Sequence, residues 1–389
     1  MALDVDLLIL GGGCAGLSLA WRLSELAQAC PKTLIVEQRA AYSNDRTWCF
    51  FGGLDSRIDG LIAQQWRFLR LSAGDRTVRF DCQPSSYQML AASDFYSHVN
   101  KVLDQCPAMC RLLGTRVVTE PTKTSAGWQI ETSQGCVTAK MVVDTRPPSM
   151  PEKGLATLWQ SFYGQEVWCE SGIFDTKCAD LMDFTTGLPG QIPFTYVLPI
   201  SPHRALVEAT VFAPDPLLPA ELALQFDAAL QKYTGRHQVK SIRAESGILP
   251  MGLVSKPPNL GVGHVRVGVM AGGARSSSGF AFQRIQHWAE QCCKAIAAGD
   301  MPTGHATDPW MHRMMDQLFL KVIASEPGMA PELFLSMFEK SNSACVIRFL
   351  SGSSNLKDCL GVMASLPAKR FIRQLLPQSF SGARAGHLQ

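Results

Sequence analysis

Val5-Asp6-Leu7-Leu8-Ile9-Leu10-Gly11-Gly12-Gly13-Cys14-Ala15-Gly16 is the stretch on which the fold turns. An apolar strand runs straight into a Gly-x-Gly-x-x-Gly turn, and helical spacing follows from Leu17 to Leu26. A dinucleotide's pyrophosphate needs a backbone it can approach without Cβ atoms, and a helix N-terminus whose free N–H groups face the charge. Gly11, Gly13, Ala15 and Gly16 are placed to supply both. The next strand, Thr33 to Val36, ends on Glu37, where a carboxylate can accept from ribose hydroxyls and would repel a 2′-phosphate. FAD or NAD therefore fits better than NADP.

Composition limits what surrounds this site. At 389 residues the chain exceeds the usual size of one core, so an interrupted domain with a second layer, or two domains, is expected. Apolar residues make up 46% and charged ones 18%, leaving apolar surface for a large core, an oily pocket or a lipid-facing side. A net charge of +3 with no basic stripe argues against nucleic acid. No run of 18 apolar residues suggests a transmembrane helix. The N-terminal apolar segment carries Asp4 and Asp6 instead of a basic leader, so it reads as a strand and a cytoplasmic setting is expected. The 13 cysteines lack CxxC spacing, which argues against zinc and a disulfide framework; no metal is expected.

Residues 1–150 read as the first part of an FAD-binding domain. Its loop, Ser43 to Phe51, mixes polar turn residues with aromatics and brings Arg46 toward the cofactor. Helical spacing spans Ala91 to Leu103. Short alternating runs at Arg116 to Val118, Trp128 to Thr132 and Cys136 to Ala139 suggest a β-meander, and a strand from Met141 to Arg146 presents Asp144 to the cofactor before Pro147-Pro148. Residues 151–264 read as a substrate-binding sheet domain, with strands at Phe194 to Pro199 and Ala205 to Phe212 and a helix at Ala220 to Tyr233. Residues 265–300 return to the FAD domain through a strand, Val265 to Met270, a small-residue segment with Gly272, Gly273 and Gly279, and a helix from Ala281 to Ala298. The alternative for that segment is a serine-rich turn that caps the helix. Residues 301–389 read as a helical C-terminal region whose apolar stripe includes Trp310, Met314, Leu318 and Ile323. Its end, residues 361–389, holds Lys369, Arg370, Arg373 and Arg384 without an acid, which suggests contact with an anionic membrane surface. The expected class is α/β: a Rossmann-type FAD-binding domain, a β-sheet substrate domain and a helical C-terminal region.

Several blocks in fixed order resemble bacterial lycopene cyclases: Gly11 to Gly16 with Glu37, Asp45 to Phe50, Ser161 to Glu166, Tyr196 to Pro199, Ala205 to Thr210, Glu245 to Met251 and Ala271 to Phe280. The resemblance spans nearly the whole chain. It implies a β-cyclase that closes the ψ-ends of lycopene and related acyclic carotenoids to β-ionone rings without net redox change. It further implies FAD active in its reduced form; NAD(P)H is the expected reductant, and the basic C-terminal end leads to an expected peripheral position on the inner face of the cell membrane. The family's acid falls on Glu208, and Glu245 is the second candidate.

Chemistry asks for such a group on its own account. Protonating an isolated alkene requires a neutral, desolvated carboxyl, and burial in an apolar pocket keeps one protonated. Alternation along the strand puts Glu208 on the side of Leu206, opposite Val207. Trp48, Phe162, Tyr163 and Tyr196 are the aromatic candidates for steadying a carbocation. Two departures from the family stand out: Ala209 where some members carry a second acid, and Arg275-Ser276-Ser277-Ser278 where relatives have His-Pro-Ser-Thr. The competing readings are an FAD-dependent monooxygenase or isoprenoid-chain reductase, and a carotenoid or flavin carrier without activity. Oligomeric state has no signature in the chain.

Overall fold

The computed structural model describes residues 3–53, 55–147 and 153–367. β1 (Leu3–Leu10) leads through the glycine turn into α1 (Cys14–Ser24). β2 (Thr33–Val36), β3 (Thr47–Phe51), β4 (Gln64–Trp66), β5 (Phe68–Ala73), β6 (Arg76–Asp81) and β7 (Tyr87–Ala91) precede α2 (Ala92–Leu103). β8 (Met109–Leu112), β9 (Thr122–Thr124), β10 (Gly127–Thr132) and β11 (Gly135–Asp144) complete the first half. The second half holds β12 (Ala156–Cys169), β13 (Cys178–Phe184), β14 (Ile192–Ser201), β15 (Arg204–Ala213), α3 (Pro219–Thr234), β16 (Val239–Leu253) and β17 (His264–Arg266). The helices α4 (Phe282–Ala297), α5 (Trp310–Ser325), α6 (Ala330–Lys340), α7 (Ser343–Ser351) and α8 (Leu356–Ser365) follow.

The nucleotide sheet has the order β8-β2-β1-β11-β10-β9, with β17 also on β11. β8, β2, β1, β11 and β17 run parallel, and register puts Leu10 beside both Val36 and Asp144. The carboxyl ends of three strands therefore meet at one edge, which is where an open parallel sheet binds its ligand. Every residue of β2 is buried, as expected for a strand covered on both faces. α1, α2 and α4 cover one face through Leu17, Trp21, Phe95, Val99, Ile285 and Trp288.

The second sheet, β16-β12-β15-β14-β13-β5-β6, is antiparallel except at β13–β5. One face packs on α3 through Val207, Ala209 and Phe226. The other meets α5 to α8 and the small sheet β3-β7-β4. β5 and β6 come from within the first 150 residues yet extend this second sheet, because Leu69, Leu71, Val78 and Phe80 alternate into its core. The domain boundary at residue 150 is thus crossed by a hairpin.

Other differences are local. Residues 135–144 form one strand instead of a meander strand and a separate return strand, and 116–118 contribute only a bridge from Val117 to Thr132. β17 stops at Arg266 because Gly268, at φ +100°, turns the chain into a single 3-10 turn. In α5 the buried side is His312, Met315, Asp316, Leu320 and Ile323, and Trp310 is exposed. The expected stripe is rotated because two polar side chains face inward to meet Arg275. All 13 cysteines are free thiols.

Candidate functional site

At the nucleotide end, α1 starts at Gly13 without a side-chain cap, so its first N–H groups face the turn unclaimed by side chains. A Cβ at Gly13 would meet nothing within 4 Å, which leaves that side of the turn open. At Gly16 a Cβ would overlap the Gly11 carbonyl oxygen, so only glycine lets α1 pack on the end of β1. Ala15 is buried in the first turn of α1. Glu37 reaches back to the loop: its Oε2 accepts from the Gly12 N–H at 2.6 Å, and its Oε1 from Arg39 N at 2.8 Å and Nε at 3.0 Å. Burial opposes the charge on Glu37, and the Arg39 and Gly12 donors outweigh it, so its carboxyl sits below the ordinary value. Arg39, absent from the sequence expectations, also pairs with Asp45 at 2.9 Å and lies over the Tyr42 and Tyr96 rings.

Asp144 ends β11 at the same edge, buried, with Arg146 on it at 2.9 Å and 2.7 Å. Arg46 is exposed; its guanidinium donates to the Asp45 carbonyl at 2.7 Å and its own carbonyl accepts from Ala92 N at 2.9 Å. Gly272 and Gly273 fold back after the 3-10 turn, where Gly273 N donates to Gly268 O at 2.9 Å. Gly279 lies against Gln160 of β12, so the return segment touches both sheets. Its serines do not cap α4, which has no side-chain cap. Ser277 Oγ donates to Asp316 at 2.8 Å and Ser278 Oγ to Leu350 O at 3.3 Å instead. Arg275 is fully buried, its Nε and Nη2 each 3.0 Å from the Asp316 carboxylate.

The second sheet builds the acid site. Register pairs Gly164 of β12 with Glu208 of β15 on one side and with Glu245 of β16 on the other, and Glu208 with Tyr196 of β14. The four residues form one row across neighbouring strands, so their side chains share a face. The two acids stand about 10 Å apart at Cα, two strand spacings. A Cβ at Gly164 would lie 2.9 Å from the Glu208 Cβ, so glycine clears the space between the carboxyls. A glycine inside a strand is a signal of close approach. Both acids are buried, Glu208 with 7% exposure and Glu245 with 5%.

Their partners differ. Glu208 takes one hydroxyl bond, from Thr210 at 3.0 Å. Burial first, and the Glu245 charge second, push its carboxyl up to about 8. Glu245 is bonded by Thr47 Oγ1 at 2.7 Å and by the Arg243 guanidinium. Tyr196 shares a 2.8 Å hydroxyl bond with Tyr87, and both phenols, buried with Cys49, are held well above their usual range by desolvation. Around this row, Phe194, Leu198, Leu206 and Phe212 supply apolar surface on the same face.

Of the aromatic expectations, Tyr196 and Phe162 lie on this face, Phe162 with its ring over Gly247. Tyr163 does not. It points to the opposite side, where it packs edge-on against Phe226 of α3 at 5.1 Å, because neighbouring strand residues alternate. Trp48 is on the far side of β3 from Thr47 and Cys49, stacked on Phe282 at 5.3 Å in the nucleotide domain.

This architecture is that of FAD-dependent monooxygenase- and reductase-type Rossmann folds. The chain aligns with the flavin-dependent brominase Bmp2 at TM-score 0.62 and 14% identity, covering 96% of this chain and 99% of that one. A geranylgeranyl bacteriochlorophyll reductase-like protein from Thermoplasma acidophilum aligns at 0.61 and 15%, covering 96% and 99%. The p-nitrophenol 4-monooxygenase PnpA from Pseudomonas putida aligns at 0.61 and 13%, covering 96% and 98%. No curated protein matches the sequence significantly. The family described as "Lycopene cyclase protein" matches residues 6–376, so the chain belongs to the lycopene cyclase family.

Proposed function

We propose that this chain is a lycopene β-cyclase in which Glu208 is the proton donor. The observation that carries the reading is a buried carboxyl, pushed up to about 8, on the apolar face of the substrate sheet. Such a group is neutral near pH 7 and able to donate. Its proton goes to C2 of the ψ-end as the C1=C2 electrons form the new C–H bond. The C5=C6 electrons then form the C1–C6 bond, and loss of the C6 proton restores the alkene as C5=C6. Atoms and electrons balance with no net oxidation. The apolar side chains around Glu208 keep water from the cation, and Tyr196 and Phe162 offer it aromatic surface.

FAD is the proposed cofactor, with NAD(P)H as its reductant. The open side of Gly13, the uncapped α1 and the Glu37 carboxylate fit the pyrophosphate and ribose of a dinucleotide. Gly11 and Gly16 shape that turn, and the return segment with Gly272, Gly273 and Gly279 would border the ring end. Bound in its reduced form, the flavin would supply negative charge that can steady a cation.

Lycopene and related acyclic carotenoids, the proposed substrates, reside in membranes, and contact with the inner face of the cell membrane is part of the reading. Among the described residues no helix is long and apolar enough to cross a membrane. α8 does expose Leu356, Leu360 and Met363 along one side. Most of the basic segment expected to assist, residues 368–389, lies outside the described residues. Liposome flotation with and without residues 361–389 tests this contact.

Anaerobic incubation of lycopene with reduced FAD tests the function. β-Carotene formed without stoichiometric NAD(P)H loss is expected, and a hydrogenated or oxygenated product would favour a reductase or monooxygenase. Unchanged lycopene with retained flavin would leave a carrier. Glu208→Gln keeps the shape of the side chain without the proton, and a rate loss of about 10²- to 10⁴-fold is expected. Wild-type turnover in that variant would exclude Glu208 as the donor.

A further inference from the structure

Glu208 and Glu245 face the same gap over Gly164, yet their surroundings divide them by charge. Arg243 and Glu245 are alternate residues of β16 and share a face. The Arg243 guanidinium bonds Glu245 Oε2 through Nη1, Thr47 Oγ1 through Nη2 at 2.7 Å, and Glu166 Oε2 through Nε at 2.8 Å. Thr47 Oγ1 completes a triangle by donating to the same Glu245 oxygen. Arg204 of β15 pairs with the other oxygen of Glu166.

The charges here can be balanced group by group. Two guanidiniums, Arg243 and Arg204, stand against two carboxylates, Glu166 and Glu245. The remaining neighbours are neutral or uncharged acceptors: Thr47 and the Cys49 thiol of β3, Tyr87 of β7, Tyr196 of β14, Thr210 of β15 and the Asn44 carbonyl. Glu208 is left without a paired cation, and a buried carboxyl in that position is cheaper to keep neutral than charged.

We propose that Arg243 is a positioning residue that decides which of the two facing carboxyls carries the proton. With Thr47 it holds Glu245 as an oriented anion, so the single proton of the pair resides on Glu208. The inference rests on Glu208 as the acid and adds the group that keeps it loaded. It also gives Glu245 a role apart from donation: the fixed negative charge facing the carbocation.

Infrared spectroscopy tests this without turnover, because a neutral carboxyl has a C=O stretch that carboxylates lack. Wild-type protein near pH 7 is expected to show a neutral carboxyl band that disappears in Glu208→Gln. Arg243→Gln is expected to add a second such band, removed again by Glu245→Gln. In turnover, Arg243→Gln should lower kcat about 10-fold near neutrality because the acid limb of its pH profile moves up into the neutral range. Arg243→Lys should restore the limb, and Thr47→Val should move it in the same direction with about a 3-fold loss. An Arg243→Gln variant with no second band and unmoved limbs would overturn the proposal, as would Thr47→Val with an unmoved limb should Arg243→Gln fail to fold. Absence of the Glu208 band in the wild type would instead remove the acid assignment beneath it.

Discussion

The two ends of the molecule are specified in different ways. At the nucleotide end the decisive residues follow one another: a strand, Gly11 to Gly16, a helix, and Glu37 at the close of the next strand. At the sheet end Glu208 and Glu245 meet only because β15 and β16 flank β12, and Thr47 reaches Glu245 from 198 positions away. The first site is made of backbone, whereas the second is made of charge held in an apolar setting. Steric substitutions should therefore break the first, and substitutions that alter a proton or a charge should break the second while leaving the fold in place.

The largest effect is expected at the glycine turn. Gly16→Val drives side-chain atoms into the Gly11 carbonyl, where no flexible neighbour can yield. Loss of flavin on purification is expected, together with a fall in stability beyond the ~1–3 kcal/mol typical of overpacking, because the backbone of β1 itself must move. Flavin absorbance per mole of protein measures it. Full flavin content in this variant would mean the turn is not the pyrophosphate site.

The same contrast explains what could be read from the sequence. The turn, α1 and Glu37 were legible because their spacing is local, and the side shared by Glu208 and Leu206 followed from strand alternation. Tyr163 and Trp48 were misplaced in the pocket because an aromatic inside a motif block does not disclose which face of its strand it takes. Arg243, Tyr87 and Thr47 escaped notice since only strand register and domain packing bring them near the acids. Gly164 did leave a mark, a glycine midway along a long strand, but its meaning required knowing that acids stood on both sides.

Arg275 joins the two regions and should rank next. Its buried pair with Asp316 ties the cofactor-side segment to α5. Arg275→Met leaves Asp316 unpaired in an apolar setting, where a loss of about 3–5 kcal/mol is typical. Burial already holds the Asp316 carboxyl above its ordinary value, with Arg275 opposing it. Denaturant unfolding of the variant is expected to show that loss, and Arg275→Met with Asp316→Leu should recover most of it. Equal stability in the single and double variants would mean that the pair is not the source of the effect.

A smaller effect, but a more specific one, is expected from Glu245→Gln. It removes the like charge that helps raise Glu208, so the Glu208 carboxyl should fall from about 8. The basic limb of the kcat profile, which needs Glu208 protonated, should then move to lower pH by about one unit or more. Stability gives the matching sign. A carboxyl raised on folding contributes fully below the ordinary glutamate value, and that contribution is lost as pH rises toward and through about 8. Wild-type Tm should therefore decline between pH 5 and 9 more steeply than that of Glu208→Gln. Parallel Tm curves would show that Glu208 titrates alike in the folded and unfolded chains.

The smallest effect belongs to Tyr163, and it sharpens the comparison because the residue sits one position from Gly164. Its hydroxyl accepts from Gln165 Nε2 at 2.8 Å and its ring packs on Phe226, both on the α3 side of the sheet. Tyr163→Phe should cost about 1 kcal/mol from that hydrogen bond and leave kcat and its pH profile unchanged. Tyr196→Phe loses a hydroxyl of the same kind, but in the row of Glu208 and against Tyr87, and should alter turnover at similar stability. The two variants remove the same atom from opposite faces of one sheet. If Tyr163→Phe changed the pH profile and Tyr196→Phe did not, the face assigned to the chemistry would be the wrong one.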